Sequence, residues 1–224
     1  DIWCMLVCTG SMESEGGSAV LYETKTLEVK PDGTIDMDWK YMGSVYEMEN
    51  QPMTYGTSWE LPIIVPLTNE AGTLTKYIFM ISPAPAGLAD NKVYYFLGDF
   101  DVETGKFTPD ESFDNNPALL DYGCNVFTGP SVFVDPQSGD TCVFSIMQDQ
   151  RTGAEEGAAG WAHCVGLTRK IWLNDEGTDV KMRPIDALHT LEGDVLAEGE
   201  NFTLEQANDA LANVKGDLLY IKAT

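Results

Sequence analysis

The tetrapeptide Trp59-Glu60-Leu61-Pro62 holds the most informative acid in the chain. A carboxyl flanked by Trp and followed by an apolar residue and Pro is expected to be poorly solvated and rigidly held, the state a general acid working near neutral pH requires. Further along, Gln148 and Asp149 follow an apolar run, so they either point into a cavity or lie on loop surface. Trp161 is a stacking platform for a ligand ring or a core Trp, and His163 beside it contacts a hydroxyl or is a satisfied structural residue. Phe127 is a wall of a binding site or core. Asp121, two residues before Gly123, fits a turn cap, and His189 has no acidic or Cys neighbour at metal spacing. No phosphate-cradling glycine loop or nucleophile elbow occurs, and the expectation is no metal and no cofactor.

The elements that position these residues are short strands. β-branched and aromatic runs recur over 2–9, 19–24, 39–46, 59–67, 76–82, 92–99, 131–134, 142–147, 163–173 and 180–184. Pro31-Asp32-Gly33, Glu103-Thr104-Gly105, Pro136-Gln137-Ser138-Gly139 and Asn174-Asp175-Glu176-Gly177 separate them with turn chemistry, so antiparallel hairpins are expected. One stretch, Thr203 to Val214, has a helix signature: Thr203 as cap and Leu204, Ala207 and Leu211 on one face. The acidic run 192–200 is expected to be a linker, and Asp217–Ala223 to resume a strand.

Thirteen Lys and Arg against 36 Asp and Glu give a net charge of -23 over 224 residues, which repels phosphate backbones and anionic membranes. Nucleic-acid and membrane partners are therefore not expected. The five cysteines, Cys4, Cys8, Cys124, Cys142 and Cys164, lack zinc-site spacing and are expected to be buried free thiols, which slightly favours a reducing compartment. The chain enters a strand at its first residues with no lead-in, as if cut from something longer.

Four ordered blocks carry a family resemblance. Trp59-Glu60-Leu61-Pro62 resembles the acid/base motif of glycoside hydrolase family 32, the invertases, levanases and inulinases, where Trp-Glu-Cys-Pro is commonest. Phe96-Leu97-Gly98-Asp99-Phe100-Asp101, with Gly105-Lys106-Phe107, is similar to the family's Gly-Asp-Phe-Asp segment. Residues 120–127, Leu-Asp-Tyr-Gly-Cys-Asn-Val-Phe, resemble its Asp-Tyr-Gly-x-Asp-Phe-Tyr block, and 161–169 its Trp-x5-Ile/Leu-Pro-Arg block. The opening Trp3-Cys4-Met5-Leu6, with Val20-Leu21-Tyr22 and Trp39, looks like the strands after the family's Arg-Asp-Pro motif.

The resemblance implies an all-β fold: part of a five-bladed β-propeller over residues 1–190, then a linker, short helix and first strand of a β-sandwich domain over 191–224. It implies a retaining glycosidase acting on β-fructofuranosyl linkages of sucrose or fructan, with Glu60 as acid/base and Trp59, Asn125, Phe127, Gln148, Asp149, Trp161 and His163 near a carbohydrate substrate. The alternatives are a non-catalytic carbohydrate-binding remnant and a related propeller glycosidase acting on arabinosides or xylosides. Departures matter too. Asn125 stands for the family's Asp, Phe127 for its Tyr and Ile146 for the Trp of its Gly-Trp-Met strand, and neither the nucleophile's Asn-Asp-Pro nor Arg-Asp-Pro occurs. Both are expected before residue 1, so these residues alone should be inactive, and a preceding segment or another chain should close the propeller.

Overall fold

The computed structural model describes residues 2–10, 16–48, 51, 55–84, 92–123 and 127–222. They divide into two compact units, Asp1–Pro184 and Ile185–Thr224. The first is built of antiparallel sheets, as the turn chemistry predicts.

In the first sheet, β1 (Trp3–Thr9), β2 (Ser18–Thr24) and β5 (Lys40–Tyr46) pair in that order, while β3 (Leu27–Val29) and β4 (Ile35–Met37) form a separate hairpin over the Asp32-Gly33 turn. The second holds β6 (Ser58–Thr68), β7 (Thr75–Ala84), β8 (Tyr94–Asp101), β9 (Lys106–Pro109) and β10 (Ala118–Leu119); β6, β7, β8 and β10 follow one another, and β9 also pairs with β8. The third takes β11 (Thr128–Val134), β12 (Thr141–Met147), β13 (Cys164–Val165), β14 (Arg169–Leu173) and β15 (Val180–Pro184). A helix, α1 (Gly153–Ala159), interrupts this last sheet between β12 and β13.

The middle sheet is the core. Ile78 to Ile81 of β7 and Tyr95 to Leu97 of β8 are buried without alternation, because both faces are covered. Trp59, with no exposed surface, joins two sheets. Its ring lies 6.4 Å from Tyr46 of β5, stacked, and 5.9 Å from Phe79 of β7. Tyr46 reaches further: its hydroxyl donates to Asp114 Oδ1 at 3.0 Å and accepts from Asn115 N at 2.9 Å. Between the second and third sheets, the buried Tyr95 donates to Asp179 Oδ1 at 3.0 Å, and Asn69 bridges Leu173. Burial, reinforced by Asp179, pushes the Tyr95 hydroxyl far above the ordinary phenol value.

Several expectations need correction. Residues 163–173 do not form one strand: His163 takes φ 57°, and residues 166–168 separate β13 from β14. The thiols of Cys4, Cys8 and Cys164 are exposed and only Cys142 is buried; Cys124 lies outside the described residues. The physical reason is that, among the described residues, β1 has a ladder partner on one side only and β13 is two residues long. Helix α1 was not anticipated. In the second unit, α2 (Leu204–Leu211) forms where expected, with a Thr203–Gln206 capping box. A 3-10 turn covers Asp186–Leu191, and residues 217–222 run without a ladder partner.

Gly17 packs flat against the Trp59 ring: a Cβ there would meet Trp59 Cδ1 at 2.4 Å. The ring has nowhere to move. Gly17→Ala is therefore expected to destabilise the fold by about 1–3 kcal/mol, read as a lowered denaturation midpoint by tryptophan fluorescence. An unchanged midpoint would show that the Trp59 ring is not tightly packed against Gly17.

Candidate active site

Glu60 is the third residue of β6. Strand alternation sends Trp59 into the core and Glu60 to the opposite face, where it is exposed. The expected shielding by Trp59 is thus corrected: neighbours in sequence along a strand face opposite ways. Its ladder partner on β7 is Ser82. Directly afterwards the register slips by one residue between Glu60 and Ile63, and Leu61 takes φ 51°, a left-handed conformation that few residues with side chains adopt. The bulge turns the start of β6 away from a regular ladder.

That turn brings β6 against the third sheet. A Cβ on Gly129 would lie 3.2 Å from Leu61 Cδ1 and 3.5 Å from Ile146 Cδ1, so the starts of β6 and β11 and the end of β12 converge. Gly129 itself has φ 52°, and Thr128 Oγ1 donates to Ile146 O at 2.9 Å. Gln148 and Asp149 follow two and three residues on, roughly 10 Å along the chain direction at strand rise. The start of β6, which carries Glu60, therefore lies beside the start of β11 and the end of β12.

Beyond β12, Asp149 organises a clip. Its Oδ2 accepts from Arg151 Nη2 at 2.7 Å and from His163 N at 3.0 Å, while its own N–H faces His163 Nδ1 at 3.3 Å. The Arg151 guanidinium lies 3.9 Å over the Trp161 ring and donates to Trp161 O at 3.1 Å. The Arg151 side chain, then the His163 N–H, hold the Asp149 carboxyl well below its ordinary 3.8. Helix α1 fills the loop, closed by a reciprocal Thr152–Glu155 capping box and by Gly160 at φ 77°. Asp149, Glu156 and His163 offer ligand atoms within 4.8 Å of one another. However, the Asp149 oxygen is already committed to a guanidinium and a backbone N–H.

Phe127 is buried, with Arg169 4.8 Å over its ring, so it backs the site instead of walling it. Arg169 Nη1 also donates to Asp121 Oδ2 at 2.5 Å, and Asp121 Oδ1 accepts from Gly123 N at 2.8 Å, the turn cap expected. Trp59 is likewise a core residue, its indole N–H donating to Tyr55 O at 3.0 Å. Asn125 lies outside the described residues. Trp161 and His163 are exposed, and Gln148 and Asp149 are half-buried.

Sequence reasoning missed Arg151, Arg169 and Ser82 as partners. Arg169 lay inside a motif block, and Arg151 follows Asp149 by two residues, a spacing that suits a side-chain ion pair. Ser82 gives no signal until the ladder register is known.

The description "Glycosyl hydrolases family 32 N-terminal domain" matches residues 1–184. A β-fructofuranosidase, insoluble isoenzyme 1, of Daucus carota is 25% identical over 201 residues, covering 85% of this chain and 31% of that protein. A fructan 1-exohydrolase of Leymus chinensis is 24% identical over 130 residues, 55% of this chain and 22% of that protein. Among solved structures, a family 32 β-fructofuranosidase of Bombyx mori in complex with sucrose superposes with a TM-score of 0.66 at 24% identity, over 89% of this chain and 38% of that one. A fructan 1-exohydrolase of Cichorium intybus gives 0.59 at 15% identity, over 88% and 34%. These neighbours are five-bladed propellers, which makes the three sheets successive blades of such a fold. The chain spans about a third of the length of most of these relatives.

The Asp149 clip has a definite pH dependence. Because its carboxyl is depressed, its contribution is complete above the ordinary value and is lost only as pH falls through the lower folded one. A carbon-13 titration should give an Asp149 midpoint well below 3.8, and Arg151→Gln should move it upward while freeing the Trp161 ring to solvent. A wild-type midpoint at or above 3.8 would contradict the clip.

Proposed function

From the premise that the chain belongs to glycosyl hydrolases family 32, we propose that it forms the acid/base side of a site cleaving β-fructofuranosyl bonds of the sucrose and fructan kind. The observation that carries this reading is the position of Glu60. Its carboxyl is exposed on the face away from the Trp59 core, at the end of β6 that meets β11 and β12. Family names among the similar proteins, β-fructofuranosidase and fructan 1-exohydrolase, support the substrate class.

In this reading Glu60 gives its proton to the glycosidic oxygen as the bond to the fructosyl carbon breaks. The resulting carboxylate then takes a proton from the water that releases the sugar. The attacking carboxylate, about 5–5.5 Å away in a retaining site, comes from residues outside these 224, since the chain contains neither Asn-Asp-Pro nor Arg-Asp-Pro. Gln148, Asp149, Trp161 and His163 flank the sugar's approach, and Asn125 is a further substrate contact by its place in the family motif. Trp161 supplies an apolar ring face and His163 a polar contact for hydroxyls. The edge of β1, without a ladder partner on one side among the described residues, takes a further strand from a preceding segment or another chain, which completes the propeller. Residues 191–224 form the linker and short helix, α2, ahead of a second β domain.

Glu60→Gln in the full-length protein tests the assignment. It should keep the fold and lower turnover of sucrose or inulin by roughly 10²–10⁴. An activated fructoside, whose leaving group needs little protonation, should lose less. Turnover at the wild-type rate on sucrose would remove Glu60 from catalysis and leave a carbohydrate-binding role.

A further inference from the structure

Among the described residues, Ser82 Oγ is the buried side-chain oxygen without a hydrogen-bond partner. Its place makes this informative. Ser82 is the residue of β7 directly opposite Glu60 of β6, so the two side chains leave the same face of the ladder as immediate cross-strand neighbours. Its strand neighbours Ile81 and Pro83 are buried and apolar and offer the hydroxyl no side-chain partner. On the other side of the pair, the slip between Glu60 and Ile63 and the left-handed Leu61 end the regular ladder one step after Glu60. The bulge thus holds an exposed acid beside an unsatisfied donor.

A buried hydroxyl left unpaired is costly, and a carboxyl oxygen within one cross-strand step is the natural acceptor. We propose that Ser82 is a positioning residue for Glu60: with a fructoside in the site, the Glu60 carboxyl turns onto Ser82, whose O–H donates to the carboxyl oxygen that does not carry the proton. This rests on the reading of Glu60 as the acid/base. The Ser82 proton stays on Oγ throughout. The proton that moves passes from the other Glu60 oxygen to the glycosidic oxygen, and the carboxylate left behind keeps the Ser82 hydrogen bond. In the free protein the pair is open. The cost of the lone hydroxyl is borne there and relieved as the acid swings into line, so the bond is made when the reaction needs it.

This makes stability and activity diverge in one variant, which a merely structural serine would not. In the full-length protein, Ser82→Ala should leave the denaturation midpoint unchanged or raised, because the free state loses an unpaired group. It should lower kcat/KM for sucrose by about tenfold, the size of one hydrogen bond to a charged group. The loss on p-nitrophenyl β-fructofuranoside, whose departure depends less on the acid, should be under about threefold. Ser82→Thr, which keeps the hydroxyl on a strand-compatible side chain, should restore most of the sucrose rate. A lowered midpoint in Ser82→Ala, equal losses on both substrates, or no loss on sucrose while Glu60→Gln remains slow would each overturn the role of Ser82 alone. If Glu60→Gln also turns over sucrose normally, the acid/base reading falls and this inference falls with it.

Discussion

The burial of the Trp59 ring is the constraint on which the rest depends. A Trp with no exposed surface can take only one side of β6, and strand alternation then dictates where Glu60 goes. The same ring is packed from three directions, by Tyr46 of one sheet, by Phe79 and Phe96 of its own, and by the bare backbone of Gly17. A one-residue slip of β6 would put the indole outside and the carboxylate into the aromatic cluster. Register, sheet-to-sheet docking and the direction of the acid are thus one decision made by one side chain.

A second layer of order comes from charge. The third sheet ends in loops that would have little apolar area to fix them, and two arginines do so instead. Arg169 ties the 121–123 turn to β14 while covering Phe127, and Arg151 ties Asp149 to the segment that carries Trp161. Both guanidiniums use a carboxylate and an aromatic face together, which a lysine would do less well. In a chain with an excess of 23 negative charges, each such cation is a scarce resource placed against an acid that would otherwise repel its neighbours.

Much of this was legible in the sequence, for identifiable reasons. The strands of the middle sheet are long apolar runs with turn residues between them, so their positions follow from composition within a residue or two; β15, Val180–Pro184, falls on the expected bounds. Turn caps at Asp121 and Thr203 were legible because they are local: the acceptor and its N–H lie within three residues. What failed is what is non-local or conditional. Helix α1, with its Thr152–Glu155 box, is rich in Gly and Ala and carries no apolar stripe, so periodicity could not flag it. The solvation of Glu60 is not legible from its neighbours in sequence, because adjacent residues of a strand face opposite sides. The short strands β9 and β10 owe their existence to the edge of β8, and no property of their own residues marks them.

The contact between the Asp149 amide and His163 has a consequence for the imidazole itself. A backbone N–H can only donate, so the ring nitrogen facing it, Nδ1, must present a lone pair. The neutral ring is thereby committed to the tautomer with hydrogen on Nε2, and its outer edge is a donor. Any hydroxyl that approaches this edge meets it through oxygen, lone pair first, and keeps its own proton free for another acceptor. The direction of a hydrogen-bond chain across that side of the site is in this way set by one amide of the main chain.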